Sequence, residues 1–182
     1  MCHSSVMEFG KSHMTEAVVR GRRVLEVGSY DVNGSLRGHV VDRGPAEYVG
    51  IDIAEGPGVD LVCSACEIVA RFGEASFDVI VSTEMLEHAG DWRSSINNMK
   101  SCLRVGGHLL LTTRSKGFPY HNPPDHWRFE VADMAQIFSD FETIELAGDY
   151  QVPGVVYFGK KLSSDRRDLS DIDVAVVTET EA

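Results

Sequence analysis

The chain is poor in the features that mark membrane, secreted and disulfide-stabilised proteins. No apolar run approaches the roughly 18–20 residues that a membrane-spanning helix needs, and the first residues lack the charged-then-apolar order of a secretory signal. The sequence has only four cysteines, with no evident disulfide framework. These absences predict a cytoplasmic protein with reduced thiols and no membrane span.

Basic residues are also scarce. Lysine and arginine number 17 against 28 aspartates and glutamates, which gives a formal net charge of −11 at pH 7. Because contacts to phosphate backbones require lysine and arginine, this balance argues against a nucleic acid as the substrate. We expect a small-molecule or carrier-bound partner instead.

The cysteines of Cys63-x-x-Cys66 have the spacing of a metal or redox pair. A structural zinc site needs about four ligands, usually two such pairs, and the chain has no second pair. The other interpretation is that both side chains line the core or a pocket. We favour the second interpretation and expect no metal.

The apolar pattern alternates between short strands and amphipathic helices over most of the chain. At 182 residues, with 43% apolar content, the chain is long enough for one domain with a sizeable core. The alternation predicts a parallel sheet with helices on both faces. The strands are predicted at 23–28, 47–53, 59–63, 77–82, 107–113, 141–146 and 155–162, and the helices at 34–42, 65–71, 92–103 and 131–138.

Three segments are predicted from composition. Residues 1–21 hold an N-terminal helical segment, residues 22–162 form the α/β domain, and residues 163–182 are rich in acidic and hydroxyl side chains. Such a composition is typical of a solvated, flexible tail.

Two strand ends predict a ligand pocket. Gly28 follows the buried strand Val24–Val27 and allows a sharp turn, and Asp52 ends the second strand 24 residues later. Because parallel strands end along one crevice, both residues face the same pocket. A carboxylate at this spacing accepts hydrogen bonds from ribose hydroxyls. The pattern indicates a ligand with an adenosine half.

The downstream segments carry a family resemblance. A third buried strand, Ser76–Ser82, is followed by Thr83-Glu84-Met85-Leu86-Glu87-His88, and a Gly106-Gly107 turn precedes the next strand. In this order, residues 22 to 160 resemble the class I S-adenosylmethionine-dependent methyltransferases, specifically the small type 11 group. The resemblance implies a doubly wound, Rossmann-like α/β fold with seven strands in the order 3-2-1-4-5-7-6, the last strand antiparallel. One departure is that Tyr30 replaces the second glycine of the usual loop.

The resemblance also implies S-adenosylmethionine as cofactor and assigns its contacts. Glu26 would contact the methionine part, although it could instead cap loop amides. The N–H groups of Gly28 and Ser29 would lie near the methionine carboxylate, and Asp52 would bind the ribose. Ser64 stands where the family usually has an aspartate for the adenine amino group. The full set is Glu26, Gly28, Ser29, Asp52, Ile53, Ser64, Ala65, Thr83 and Glu84.

His88 is the first catalytic candidate. The resemblance places it near the transferred methyl group, and histidine titrates near neutrality, as a general base requires. The alternative is a histidine in the first turn of a helix, bonded to backbone.

The loop 117–128 holds the other candidates. Its prolines and aromatic side chains follow the fifth strand, over the crevice. We expect it to serve the methyl acceptor, with His121 and His126 as catalytic residues and Tyr120, Asp125 and Trp127 as substrate-binding residues. One alternative is a metal site formed by His121, Asp125 and His126. The other is structural, with Asp125 paired to Arg128 and Trp127 in the core beside helix 131–138.

The sequence thus favours a methyltransferase that acts on an oxygen or nitrogen of a small acceptor. Many of the similar type 11 proteins belong to sugar and cell-surface pathways. A non-catalytic binding or regulatory protein with the same fold is the main alternative, given the missing glycine. A nicotinamide-dependent oxidoreductase ranks lower, because it would need a hydride site such as a Tyr-x-x-x-Lys pair.

Overall fold

The computed structural model describes residues 3–120 and 124–177. Nine strands and six α-helices alternate along this part of the chain. The strands are β1 (Arg23–Val27), β2 (Glu47–Asp52), β3 (Leu61–Val62), β4 (Phe77–Thr83), β5 (Leu103–Arg114), β6 (Trp127–Arg128), β7 (Phe141–Gly148), β8 (Gly154–Lys161) and β9 (Ala175–Val176). The helices are α1 (Ser4–His13), α2 (Glu16–Val19), α3 (Arg37–Val41), α4 (Ile68–Phe72), α5 (Trp92–Cys102) and α6 (Val131–Ile137).

Seven strands form one sheet in the order β3-β2-β1-β4-β5-β8-β7. The first five are parallel, and β8 runs antiparallel to both β5 and β7. The predicted order, 3-2-1-4-5-7-6, is therefore confirmed once the two-residue strand β6, which belongs to a second sheet, is set aside. The predicted antiparallel insertion of the last strand is confirmed as well.

The sheet separates two apolar layers. Leu25 and Val27 of β1 face one layer, in which α5 and α6 pack, while Val24 faces the other, which contains α1 and α3. This alternation follows from the two-residue period of a strand. Both faces are covered, so β1 is buried almost throughout.

Helix α5 shows how local sequence fixes an element. The Asp91 side chain accepts a hydrogen bond from the Ser94 N–H at 2.9 Å and caps the helix. Trp92, Ile96 and Met99 then recur at helical spacing and are fully buried against the sheet. The helix predicted at 92–103 begins at the observed residue and ends one residue later than α5 does.

The segment from residue 163 differs from the predicted solvated tail. Leu169, Ile172 and Val174 are buried, and β9 pairs with β6 as a small antiparallel sheet. The apolar side chains of this segment are few and are separated by acidic residues, but they pack beside the loop that carries β6, and this is why the segment is ordered. The segment boundaries 1–21, 22–162 and 163–182 otherwise stay predictions.

No helix within residues 3–120 and 124–177 combines the length and apolar character needed to cross a membrane.

Candidate functional site

The carboxyl ends of β1, β2 and β4 meet at one edge of the sheet. Gly28, directly after β1, has φ of 82°, and a Cβ there would lie 2.6 Å from Met85 Cβ. Only glycine allows this backbone to turn and to touch the segment after β4. The loops after β1 and β4 therefore form adjoining walls of one crevice.

Asp52 lies at the end of β2, half-buried in this crevice. Its two carboxylate oxygens each accept one backbone hydrogen bond at 3.2 Å, from Tyr30 and from Ala54. Each oxygen keeps a second lone pair for an external donor. The next residue, Ile53, is 78% exposed, so an apolar surface lies beside the acid. This pairing suits a ribose and an adjoining flat base.

The glycine loop differs from the prediction. The N–H groups of Gly28 and Ser29 both donate to the Ile51 carbonyl at 2.9 Å, so neither is directed at a ligand. The Ser29 side chain is buried beneath the loop near Gly50, and the Ser29 carbonyl lies near Gly58. The loop thus closes onto the end of β2. The binding of a carboxylate by these two amides stays a prediction.

Glu26 is enclosed within the structure and does not line the open crevice. It is 2% exposed, and its Oε2 accepts a hydrogen bond from the Tyr48 hydroxyl at 2.5 Å. Burial raises the pKa of this carboxyl to about 7, against the lowering effects of Tyr48 and Arg37. The Glu26 carboxyl is therefore not open to direct contact in this structure. A water-mediated contact between this carboxyl and the methionine part of the cofactor stays a prediction.

The segment after β3 contains the predicted adenine edge. The Ser64 hydroxyl accepts from the Cys66 N–H at 3.2 Å and caps a short 3₁₀ turn, while Ala65 is buried. Cys63 packs in the core, and burial raises its thiol pKa. Cys66 lies 3.5 Å from the Ser95 hydroxyl, on α5. Both are free thiols, Cys63 buried and Cys66 exposed, so only Cys63 lies in the core.

Glu84 follows β4 in a left-handed conformation, with φ of 54°, which is uncommon for a residue with a side chain. Its Oε1 accepts from the Thr112 hydroxyl at 2.8 Å, and its Oε2 pairs with Arg114. Burial, followed by the nearby charge of Glu87, raises the pKa of Glu84 to about 8. The side chain is 3% exposed and occupied by Thr112 and Arg114, and the role of Glu84 as a cofactor contact stays a prediction. Thr83 is likewise buried.

A buried polar network extends from Glu84 beneath the crevice. Glu87 is 1% exposed, and its Oε2 accepts from the Thr113 hydroxyl at 2.9 Å. Burial raises its pKa. Three carboxyls, those of Glu84, Glu87 and Asp125, thus share two arginines, Arg114 and Arg128. Burial and the charge of Glu87 thus favour the protonated form of Glu84, whose pKa is about 8. Sequence reasoning missed Glu87 and Arg114, whose only signal was charge at the ends of buried strands.

His88 meets Asp125 in the structure. The imidazole Nδ1 lies 3.1 Å from Asp125 Oδ1 and 3.3 Å from the Pro124 carbonyl. Asp125 Oδ2 lies 2.5 Å from an Arg128 guanidinium nitrogen. Asp125 is 3% exposed and pairs with Arg128, as the structural alternative expects. Its role as a substrate contact stays a prediction.

The other loop candidates lie at different depths. The Trp127 indole donates to the Ala89 carbonyl at 2.7 Å and packs against the core, which agrees with the structural alternative. His126 is exposed, with its N–H bonded to the Glu87 carbonyl at 2.8 Å. Tyr120 is half-buried. His121 lies outside the described residues.

Two rival chemistries can be compared with the structure. Among residues 3–120 and 124–177 no group of three histidine, cysteine or acidic side chains could hold a metal ion. The spacing Tyr-x-x-x-Lys does occur, at Tyr157 and Lys161. Both lie in β8, where Tyr157 is fully buried in the core and the Lys161 ammonium is bonded to backbone carbonyls. This pair is therefore not a hydride site.

Comparison with known proteins identifies the family of this chain. A family model described as a methyltransferase domain matches residues 8–149. The ubiquinone biosynthesis O-methyltransferase of Idiomarina loihiensis is 32% identical over 109 residues, which are 53% of this chain and 44% of that protein. The counterpart in a Ruegeria species is 30% identical over 119 residues, 58% of this chain and 47% of that protein. The chain thus spans about half the length of these curated relatives.

A solved structure shows the same fold. The 1,6-didemethyltoxoflavin-N1-methyltransferase of Burkholderia thailandensis, solved with its substrate and S-adenosylhomocysteine, superposes with a TM-score of 0.69 at 16% identity. The match covers 86% of this chain and 78% of that one. The sheet order, the glycine turn, the acid at the end of β2 and the matching family model lead to one conclusion. The chain belongs to the methyltransferase domain family, among the class I S-adenosylmethionine-dependent methyltransferases.

Proposed function

We propose that this protein transfers the methyl group of S-adenosylmethionine to an oxygen of a small acceptor, with nitrogen as the alternative nucleophile. The observation that carries the proposal is the half-buried Asp52 next to the exposed Ile53, at the crevice formed around Gly28. An acid for the ribose and an apolar surface for the adenine are the groups that an adenosine cofactor requires.

The chain's own residues would act mainly by positioning. When bound, S-adenosylmethionine supplies a methyl carbon on a positively charged sulfur, which makes a good leaving group. Asp52 and Ile53 would hold the adenosine end, and the wall formed by Met85 would limit how far the ligand can move. Holding donor and acceptor at a near-attack distance of about 3–3.5 Å accounts for much of such a rate enhancement.

Oxygen is favoured as the nucleophile by two observations. The curated relatives are named O-methyltransferases, and the imidazole of His88, 26% exposed, lies at the same edge of the sheet. A hydroxyl must lose its proton during transfer, and histidine is the side chain best suited to accept it near pH 7. A carrier-bound or sugar acceptor, and a cytoplasmic location, belong to the same proposal. The free thiols agree with that location.

Titration with S-adenosylhomocysteine tests the cofactor site. We expect Asp52→Ala to weaken its affinity by one to two orders of magnitude, because hydrogen bonds to a charged group contribute about 1.5–3 kcal/mol. Glu55→Ala is the matched control, since it removes the same charge from an exposed position three residues away. Calorimetry measures both. Equal affinity in the two variants would contradict the ribose assignment.

The second candidate function is a non-catalytic binding protein, and one observation favours it. The Gly28 and Ser29 amides are both occupied by the Ile51 carbonyl, so the carboxylate end of the cofactor lacks its usual donors. An assay with methyl-labelled S-adenosylmethionine and a panel of phenols, catechols, sugars and amines separates the two functions. Label transferred to a hydroxyl acceptor supports the proposal. Tight binding of S-adenosylhomocysteine with no transfer across the panel would favour the binding protein.

A further inference from the structure

The surroundings of His88 fix which of its ring nitrogens carries the proton. Nδ1 faces two oxygen atoms, Asp125 Oδ1 at 3.1 Å and the Pro124 carbonyl at 3.3 Å. The Pro124 carbonyl has hydrogen-bond geometry and the Asp125 oxygen lies within ion-pair distance. Neither oxygen can donate to the ring when Asp125 is ionised, so Nδ1 carries the hydrogen in the neutral ring. The lone pair then resides on Nε2, which has no hydrogen-bond partner within the described part of the chain.

Asp125 is itself held in place. Its side chain is 1% exposed, and Oδ2 lies 2.5 Å from Nη2 of Arg128. Arg128 also donates to the carbonyls of Trp127 at 3.0 Å and Phe118 at 3.2 Å. A charge-assisted pair with further bonds to backbone is stronger and more rigid than a neutral contact. The carboxylate therefore has one available orientation toward the imidazole.

The imidazole is also near the crevice. The His88 N–H donates to the Met85 carbonyl at 3.0 Å, and the Met85 side chain contacts Gly28 at the end of β1. One helical turn thus separates His88 from the wall of the predicted cofactor site. The His88 side chain is 26% exposed, which is enough to leave one ring edge open.

We propose that Asp125, held by Arg128, is a positioning residue that orients His88 to accept the acceptor's proton at Nε2. This inference rests on the proposed function. In the step, the acceptor O–H bond breaks and its proton moves to Nε2, while the oxygen forms a bond to the methyl carbon. The carbon–sulfur bond breaks and its electron pair goes to sulfur. The imidazolium then releases the proton to water, so charge and atoms balance.

The charged groups around His88 support this assignment. Asp125 faces the ring directly, and Arg128 lies behind it. Glu87, the residue before His88, accepts a hydrogen bond from the Thr113 hydroxyl, and burial raises its pKa. Glu84 and Arg114 pair with each other beyond it. The Asp125 carboxylate is therefore the group placed to stabilise an imidazolium.

Nitrogen-15 NMR of histidine-labelled protein tests the geometry without an acceptor. The His88 signals are assigned by their loss in His88→Gln. We expect the wild-type ring to be protonated at Nδ1 and unprotonated at Nε2 when neutral. In Asp125→Asn the charged acceptor beside Nδ1 is lost, so the share of neutral rings protonated at Nδ1 should fall. Asp171→Asn is the control, because Asp171 also pairs with an arginine but is 62% exposed.

Kinetics provide the second test. With an acceptor hydroxyl found in the panel, Asp125→Asn should lower kcat at least tenfold and shift the acidic limb of its pH profile. The KM for the acceptor and the affinity for S-adenosylhomocysteine should stay within twofold. Circular dichroism and S-adenosylhomocysteine binding report whether the variant folds. If the variant does not fold, the NMR measurement on the wild-type protein still decides which ring nitrogen of His88 carries the proton.

The outcomes separate this inference from the proposed function. A wild-type ring protonated at Nε2, or a balance of the two neutral ring forms unaffected by Asp125→Asn in a folded protein, would overturn the role of Asp125. So would unchanged kcat in that variant. Failure of the wild-type protein to bind S-adenosylhomocysteine would contradict the proposed function. The NMR result would then still test the contact between His88 and Asp125.

Discussion

Glu26 shows how one buried residue can make stability depend on pH. The carboxyl lies between Tyr48 and the loop after β1, where burial raises its pKa from 4.5 to about 7. The native state therefore holds this proton more tightly than the unfolded chain does. The resulting stability is fully present below pH 4.5 and is lost as the pH rises to about 7.

We predict that Glu26→Gln removes this dependence. The amide keeps an acceptor for Tyr48 but does not ionise. The pKa difference corresponds to about 3 kcal/mol, so between pH 5 and pH 8.5 the variant should gain stability relative to wild type by an amount of that order. Urea unfolding at the two pH values measures it. Glu16→Gln, at an exposed pair with Arg20, should show no such change. Parallel pH profiles for wild type and Glu26→Gln would refute the prediction.

At the scale of the element, β5 has an arginine near each end. Arg114 at its carboxyl end forms a buried ion pair with Glu84, which joins the ends of β4 and β5. Arg104, near the start of β5, pairs with Asp78 but is 43% exposed. The two pairs are alike in chemistry and differ in burial, so they form a natural comparison.

We expect Arg114→Met, measured at pH 9 where Glu84 is ionised in the wild type, to lower the free energy of unfolding by about 3–5 kcal/mol, because removal of one partner leaves a buried acid without its counter-charge. Adding Glu84→Gln to this variant should recover part of the loss. Arg104→Met should cost no more than about 1 kcal/mol, since exposed pairs contribute little. Denaturant unfolding compares the three proteins. Similar losses for Arg104→Met and Arg114→Met would show that burial of the pair is not the cause.

The elements were largely predictable, because their signals are local. The buried apolar run of β1 and the helical spacing of Trp92, Ile96 and Met99 each determine one element without reference to the rest of the chain. The order of the sheet came from the family resemblance. Strand β9 was missed because two apolar residues in an acidic segment carry no periodicity.

The candidate site was predictable only in part. Gly28 and Asp52 are identified by their spacing in the sequence. The closure of the loop onto Ile51 depends on backbone dihedral angles, which the residue types in the loop do not determine. The contact between His88 and Asp125 joins positions 37 residues apart in the sequence. Nothing in the pattern of either segment indicates the other, so the contact appears only after folding.

For the whole molecule, the segment 163–177 is part of the structure. Leu169 and Ile172 are each 2% exposed, and their carbonyls accept hydrogen bonds from Arg93 on α5. Strand β9 then pairs with β6, which begins two residues after Asp125. The segment therefore connects α5 to the loop that holds the positioning carboxylate.

We predict that Ile172→Ala destabilises the protein by about 2–5 kcal/mol, the usual cost of truncating a buried aliphatic side chain. Val176→Ala, in the same segment, should change stability by less than about 1 kcal/mol, because Val176 is 63% exposed. Thermal unfolding compares the two. A neutral effect of Ile172→Ala would indicate that the segment is not packed in solution.

The pairing of β9 with β6 also sets an order in time. A ribosome releases residues 126–128 well before residues 175–177, so the loop next to Asp125 waits for its partner strand while about 50 further residues emerge, several seconds at ordinary synthesis rates. The residues that contact Gly28 and Asp52, from Tyr30 to Met85, all precede β5 in the chain. During synthesis, the contacts around Gly28 and Asp52 therefore have their partners before the loop next to Asp125 has its partner strand.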